Sequence, residues 1–324
     1  NEIFIRGRKN VAFKISGISE LDYLDLFKKF AYTYGNQESY SLNHISHVVL
    51  GEKKLDYSDV GDLMDLFEQD HQRFIDYNAK DVALVSRIDE KLGLINLVMT
   101  MAYMAGVNFA DTLGTTAIWD SIIFRELMRQ KIAVPQPKEH KSQAFVGGYV
   151  KDPQVGMHDW VMSFDLNSLY PNIIIQYNMS PETLIPHDKA EGAQAANGSV
   201  FRKDKKGIIP QIVEKMYETR VVTKKKMLGV KQQIETKGKS DSLIREATIL
   251  ENTQMATKIL LNSLYGAMGN KWFRYFDLRV AEGVTTTSTN VAPTGLDFMT
   301  GSTAFGLEYH TAADFIADGL TASV

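Results

Sequence analysis

The chain has 324 residues, 44% hydrophobic and 23% charged, with a net charge of −3 and no cysteine. That length holds two or three domains, and the composition is that of a folded chain rather than a disordered one. No run of about 18 apolar residues exists, so no membrane span is expected, and without cysteine there are no disulfides or thiolate zinc sites, which fits a reducing compartment.

The chain starts at Asn1 without a signal-like segment, which suggests a fragment or a processed product. Its weak acidity argues against a generic nucleic-acid binder. The average hides a local excess, because positions 200–240 carry twelve Lys/Arg against four Asp/Glu. After Arg279 there is no further Lys or Arg. A field confined to one segment attracts phosphates even on a slightly acidic chain.

In chain order, Leu21 to Tyr34 has the apolar spacing of an amphipathic helix, and Phe67 to Met104 is mostly helical by the same test. Trp119 to Lys131 predicts another helix, ended by Pro135 and Pro137, and the polar run KEHKSQ is a candidate domain boundary. Gly147-Gly148 predicts a turn before a strand at Tyr149-Val150, and Trp160 to Asp165 a short strand. A long helix is predicted from roughly Gln211 to Gln233 and a second from about Leu243 to Leu264, stopped by Gly266, as an antiparallel pair with about ten residues between them. The last forty residues, beginning VTTTSTNVAPTG, are rich in Thr, Ser and small side chains with weak periodicity.

Four stretches can carry chemistry. In SFDLNSLYPNIII a strand delivers Asp165 at its carboxyl end, Asn167 or Ser168 can cap a new helix, and Pro171 falls in its first turn, where a missing N–H matters little. The N–H groups at Ser168, Leu169 and Tyr170 then form an anion site. A carboxylate beside an anion site repels it unless a divalent cation lies between, and magnesium typically takes one or two carboxylates plus phosphates. The plain alternative is a surface Asp before an ordinary helix. In KILLNSLYGAMGN, Lys258, Asn262 and Tyr265 share one helical face while Ile259, Leu260 and Leu264 turn towards the other. That stripe suits a phosphate and a base, although a solvated stripe is the commoner origin of such a pattern. Arg220 and Lys224 stand four apart on the other long helix, where they can face Lys258, and arginine grips phosphate oxygens bidentately. In YNAKD, Tyr77 and Asp81 stand one turn apart, so Asp81 could ligate a metal and Tyr77 orient a water; pairs like this are frequent without function.

The order FVGGYV, SFDLNSLYP, KILLNSLYG resembles that of the family B DNA polymerases, and is similar to the replicative enzymes of large tailed phages. DLNSLYP resembles the family's first polymerase motif and KILLNSLYG its second, of the form K-x-x-x-N-S-x-Y-G. FVGGYV resembles the family's Y-x-G-G element with Phe145 in place of tyrosine, and YNAKD the third exonuclease motif, Y-x-x-x-D. The likeness covers roughly residues 10 to 285.

The resemblance implies a helix-rich α/β fold. It comprises part of an RNase H-like 3′–5′ exonuclease domain (1–93), a helical connection (94–136), a partial palm sheet (137–206), helical-hairpin fingers (207–270), and a palm continuation with a divergent tail (271–324). It implies Asp165 and Leu166 as ligands of a two-metal magnesium site, Asp165 and Lys258 as catalytic groups, and Asp81 with Tyr77 as the exonuclease remnant, Asp81 being a metal ligand there. Ser168 and Leu169 would hold the triphosphate, with Arg220, Lys224, Lys258 and Asn262 binding it from the fingers. Tyr170 would lie under the sugar, Tyr265 and Gly266 at the nascent base pair, and Phe145, Gly147 and Gly148 near the template strand. The partners implied are primer-template DNA, a dNTP, and a sliding clamp or second polymerase fragment, with no membrane, in the cytoplasm of a bacterial host of a phage.

The pattern also departs from the family. No Asp-Thr-Asp occurs in these 324 residues, the thumb is missing, the first two exonuclease motifs would lie before Asn1, and the likeness fades after the stretch Trp272 to Arg279. One carboxylate cannot hold two magnesium ions, so little primer extension is expected from this chain alone. Two other readings stay open: a non-catalytic nucleotide- or DNA-binding module, and a nuclease resting on Tyr77 and Asp81.

Overall fold

Helices dominate because their ends are written in the sequence. In the computed structural model the described residues are 17–136, 155–157, 168–186 and 192–289, with strand backbone at 2–5, 8–11, 163–165 and 321–323 and the end of one helix at 290–291. The chain divides into two compact units, Asn1–Leu113 and Gly114–Val324.

The first unit opens with an antiparallel strand pair, β1 (Glu2–Ile5) and β2 (Arg8–Val11), in which Glu2 faces Val11 and Ile5 faces Arg8. Helix α1 (Tyr23–Phe30) is capped by Asp22, whose carboxylate accepts from the Leu24 N–H at 2.8 Å, and buries Leu26, Phe27 and Phe30. Helix α2 (Leu42–Leu50) lies between two signals that the hydrophobic spacing alone does not reveal. Ser41 caps its start, and Gly51 ends it in the left-handed region at φ 76°. Helix α3 (Leu63–Gln69) carries a reciprocal capping box between Asp62 and Asp65. The long helical stretch predicted beyond Phe67 is two helices, α4 (His71–Leu92) and α5 (Leu94–Ala105), separated by Gly93 at φ 65°. Leu84, Ile88, Val98 and Met101 are buried.

The second unit starts with α6 (Thr115–Arg129), centred on the fully buried Trp119. Strand β3 (Ser163–Asp165) pairs antiparallel with a strand at Thr321–Ser323, Asp165 opposite Thr321. Helix α7 (Leu169–Gln176) follows after the turn at Ser168. A three-stranded antiparallel sheet comes next, β4 (Leu184–Ile185), β5 (Ala193–Gln194) and β6 (Val200–Phe201), with β6 in the middle. Such two-residue strands carry no alternation for a sequence pattern to show.

Helices α8 (Ile208–Lys237) and α9 (Asp241–Met268) are longer than their periodicity predicts, and only Gly238–Ser240 join them, not about ten residues. The helix does not stop at Gly266: Leu264, Ala267 and Met268 around it are buried, and packing of that face outweighs the propensity cost of one glycine. Near the root, Leu260, Leu261 and Leu264 are each 3% exposed or less, worth about 1.5–3 kcal/mol apiece on burial. The Thr/Ser-rich stretch is helical as far as Val291, in α10 (Leu278–Val291). Its hydroxyls return to the carbonyls of the preceding turn, as from Thr289 to Thr285 O at 2.9 Å, so small polar residues pack where a weakly periodic tail was expected.

Candidate functional site

The site grows from the turn after β3. Ser168 occupies the N-cap position of α7 with φ 54° and ψ 43°, a left-handed conformation that costs a residue with a Cβ about 1 kcal/mol, and its hydroxyl makes no capping bond to the helix. The first intrahelical bond runs from the Asn172 N–H to Ser168 O at 3.1 Å. Leu169 and Tyr170 therefore present N–H groups with no intrahelical acceptor, and Pro171 has none to present. Pro171 falls in that first turn, as the sequence predicts, and is buried there.

Both long helices reach this turn. From α8, Arg220 Nη1 lies 3.4 Å from Ser168 Oγ, and Arg220 Nε is buried without a hydrogen-bond partner. From α9, the Tyr265 ring meets the Tyr170 ring edge-on, centroids 5.2 Å apart. Burial pushes the Tyr265 phenol up in pKa, nearby Tyr170 adds to that, and a hydrogen bond with Thr285 on α10 pulls it back. Thr285 is a residue that the sequence gives no reason to single out.

The register of the hairpin can be read from an ion pair, Lys231 Nζ to Glu251 at 2.6 Å. Seven residues is about two turns and eleven about three. Counting these steps from each partner towards the root brings Lys224 opposite Lys258 and Arg220 opposite Asn262. Lys224, Asn262 and Gly266 are exposed, and Lys258 and Tyr265 are half-buried. The predicted cations, amide and aromatic thus line one side of the hairpin while Leu260 and Leu264 pack.

Below them, the hairpin is held at its root. Asn178, itself at φ 56°, donates to Arg202 O and Lys205 O at 2.6 and 2.9 Å and accepts from the Gly207 N–H at 2.8 Å. Glu182 accepts from the Ile208 N–H at 2.6 Å, placing a carboxylate at the positive end of α8.

Phe145, Gly147, Gly148, Leu166, Asn167, the run KEHKSQ and the predicted strand at Tyr149-Val150 lie outside the described residues. Asp165 is placed by its strand backbone alone. Among the described residues no three His, Asp or Glu side chains gather into a metal-binding group. None of their helices is long and apolar enough to cross a membrane.

In the first unit Tyr77 and Asp81, both on α4, meet a third residue from the loop after α2. Lys54 Nζ lies 2.6 Å from Asp81 and 4.8 Å from the centre of the Tyr77 ring. Burial lowers the Lys54 pKa, and the bonds to Asp81 and Tyr77 outweigh that and raise it. The other Asp81 oxygen, Oδ1, is buried without a partner.

The family model of DNA polymerase family B matches residues 112–293, running beyond Arg279 through α10. The DNA-directed DNA polymerase of Escherichia phage RB69 is 36% identical over 83% of this chain and 36% of its own length. That of Enterobacteria phage T4 is 36% identical over 86% of this chain and 37% of its own length. The DNA polymerase delta catalytic subunit of Bos taurus is 30% identical over 76% of this chain and 23% of its own length. In fold, the chain is similar to the family B DNA polymerase of Pyrobaculum calidifontis, with a TM-score of 0.67 at 21% identity over 84% of this chain and 35% of that one. The chain spans little more than a third of the length of the phage relatives it matches. On the family match and the helical hairpin closing over the turn after Asp165, this chain belongs to DNA polymerase family B.

Proposed function

We propose that the chain carries the incoming-nucleotide site of a template-directed DNA polymerase, which transfers a deoxynucleotide to a primer 3′-hydroxyl. The observation that supports this best is Arg220. Its guanidinium reaches the first turn of α7, and its Nε is buried with nothing to bond. A buried donor of that kind costs free energy until an acceptor arrives, and a phosphate oxygen is a fitting one.

In this reading Arg220, Lys224, Lys258 and Asn262 hold the triphosphate from the hairpin, and the Ser168 and Leu169 amides hold it from below. Lys258 neutralises charge that builds on the leaving pyrophosphate. Tyr170 lies under the sugar and excludes a ribose 2′-hydroxyl, Tyr265 and Gly266 abut the new base pair, and Phe145, Gly147 and Gly148 follow the template. The Asp165 carboxylate and the Leu166 carbonyl, that residue's only oxygen, are the magnesium ligands supplied here. A carboxylate and a carbonyl oxygen are donors that magnesium takes together with phosphates. When bound, the metal pair would stabilise the attacking and leaving oxygens. The first unit, in this reading, keeps part of a 3′–5′ exonuclease site at Tyr77 and Asp81, supported by the unpartnered Asp81 oxygen. Primer-template DNA and a dNTP are the substrates, and a sliding clamp or second polymerase fragment the further partners.

These 324 residues contain no Asp-Thr-Asp, so alone they should extend a primer negligibly. Mixing them with a second chain that carries an Asp-Thr-Asp hairpin should restore extension, and Asp165→Ala should abolish it. Extension that survives Asp165→Ala would sink the reading.

A further inference from the structure

Trp119 is fully buried on α6, and its indole N–H is shared between two acceptors on α9, Leu260 O and Ser263 Oγ, each at 3.1 Å. The Ser263 hydroxyl in turn donates to Leu260 O at 2.8 Å. One indole, one hydroxyl and one carbonyl therefore close a ring of hydrogen bonds on the inner side of α9. Ser263 stands between Asn262 and Tyr265, two of the residues that α9 offers to the nucleotide site.

We propose that Trp119 is a positioning residue for nucleotide binding, setting through Ser263 and Leu260 the rotation of α9 that presents Asn262 and Tyr265. This rests on the nucleotide-site reading above. The lever is geometric. Side chains on a helix lie about 5–6 Å from its axis, so a turn of about 20° moves their polar ends about 2 Å. Displacements of that size cost a binding or reacting constellation heavily. The leucines on the inner face fix which side of α9 is buried; a shared N–H adds a direction that apolar contacts lack. Pure core filling predicts that a phenylalanine at 119 serves as well for the nucleotide. Positioning predicts that it does not.

The test uses the 324-residue chain, dATP and magnesium chloride. Trp119→Phe keeps most of the ring packing and removes the N–H, and Ser263→Ala removes the hydroxyl. Each should weaken dATP binding about five- to tenfold in isothermal titration, and the pair together should lose less than the product of the two, because both break one link. Melting midpoints should stay within about 5 °C of the parent. Amide exchange at residues 262–266 should quicken in each variant. Unchanged dATP affinity in Trp119→Phe, with the parent binding, overturns the positioning role. A parent that does not bind dATP defeats the nucleotide-site reading instead, and exchange then decides: parent-like rates at 262–266 in Trp119→Phe overturn the positioning role on their own.

Discussion

Arg220 on α8 reaches across to Ser168, Nη1 to Oγ at 3.4 Å, so the hairpin touches the first turn of α7 directly. At that distance the bond is weak, and the guanidinium can leave the hydroxyl for a stronger acceptor. Ser168 itself sits in the left-handed region at φ 54°. A β-branched residue tolerates that conformation poorly. Ser168→Val should lower stability by about 1–2 kcal/mol in urea unfolding; an unchanged midpoint would mean that the left-handed turn is not imposed by the fold.

Thr285 braces Tyr265 from α10. Thr285→Val keeps the shape and removes the hydroxyl. Since that bond lowers the Tyr265 phenol pKa, its loss should raise it, measurable as a later phenolate transition in ultraviolet difference titration. Stability should fall by about 0.5–1.5 kcal/mol.

The root of α8 is closely packed around Gly207. A Cβ there would stand 2.8 Å from both Ser180 Cβ and Thr183 Cγ2. Gly207→Ala should cost about 1–3 kcal/mol by overpacking. Asn178→Ala, which strands two carbonyls and one N–H, should cost about 2–4 kcal/mol. Equilibrium unfolding of both variants checks this, and a neutral Gly207→Ala would show that the loop gives way.

Glu126 on α6 has its carboxyl held down at about 2, first by the hydrogen bonds from Arg129 and against the cost of burial, with Gln130 and nearby Lys215 helping. A carboxyl depressed below its ordinary 4.5 stabilises the fold above that pH, and the contribution is lost as pH falls towards 2. Arg129 is 67% exposed, so solvent screening keeps the effect below about 1 kcal/mol. Melting between pH 5 and pH 2.5 should therefore decline slightly less steeply in Glu126→Gln than in the parent.

Much of this site was legible before any coordinates. Spacing placed Lys258, Asn262 and Tyr265 on one face of a helix and Arg220 and Lys224 on its partner, because the helical period alone sets which residues share a face. What the sequence hid depended on partners distant in the chain. Thr285 carries no motif, and the buried face of its helix is completed by Thr285, Thr287 and Ser288, which apolar spacing does not mark. Ser263 was in plain view inside a motif, yet its role needs Trp119, 144 positions earlier. Lys54 beside Asp81 was equally unreadable, since nothing in YNAKD points to it.

In the proposed function, the hairpin and the turn after Asp165 form one grip on a nucleotide's phosphates. Isothermal titration of dATP into the 324-residue chain, with and without magnesium, decides whether they do. Binding should require magnesium, weaken about ten- to a hundredfold in Arg220→Ala, and lose its magnesium dependence in Asp165→Ala. Binding indifferent to both substitutions, or none at millimolar dATP, would contradict it.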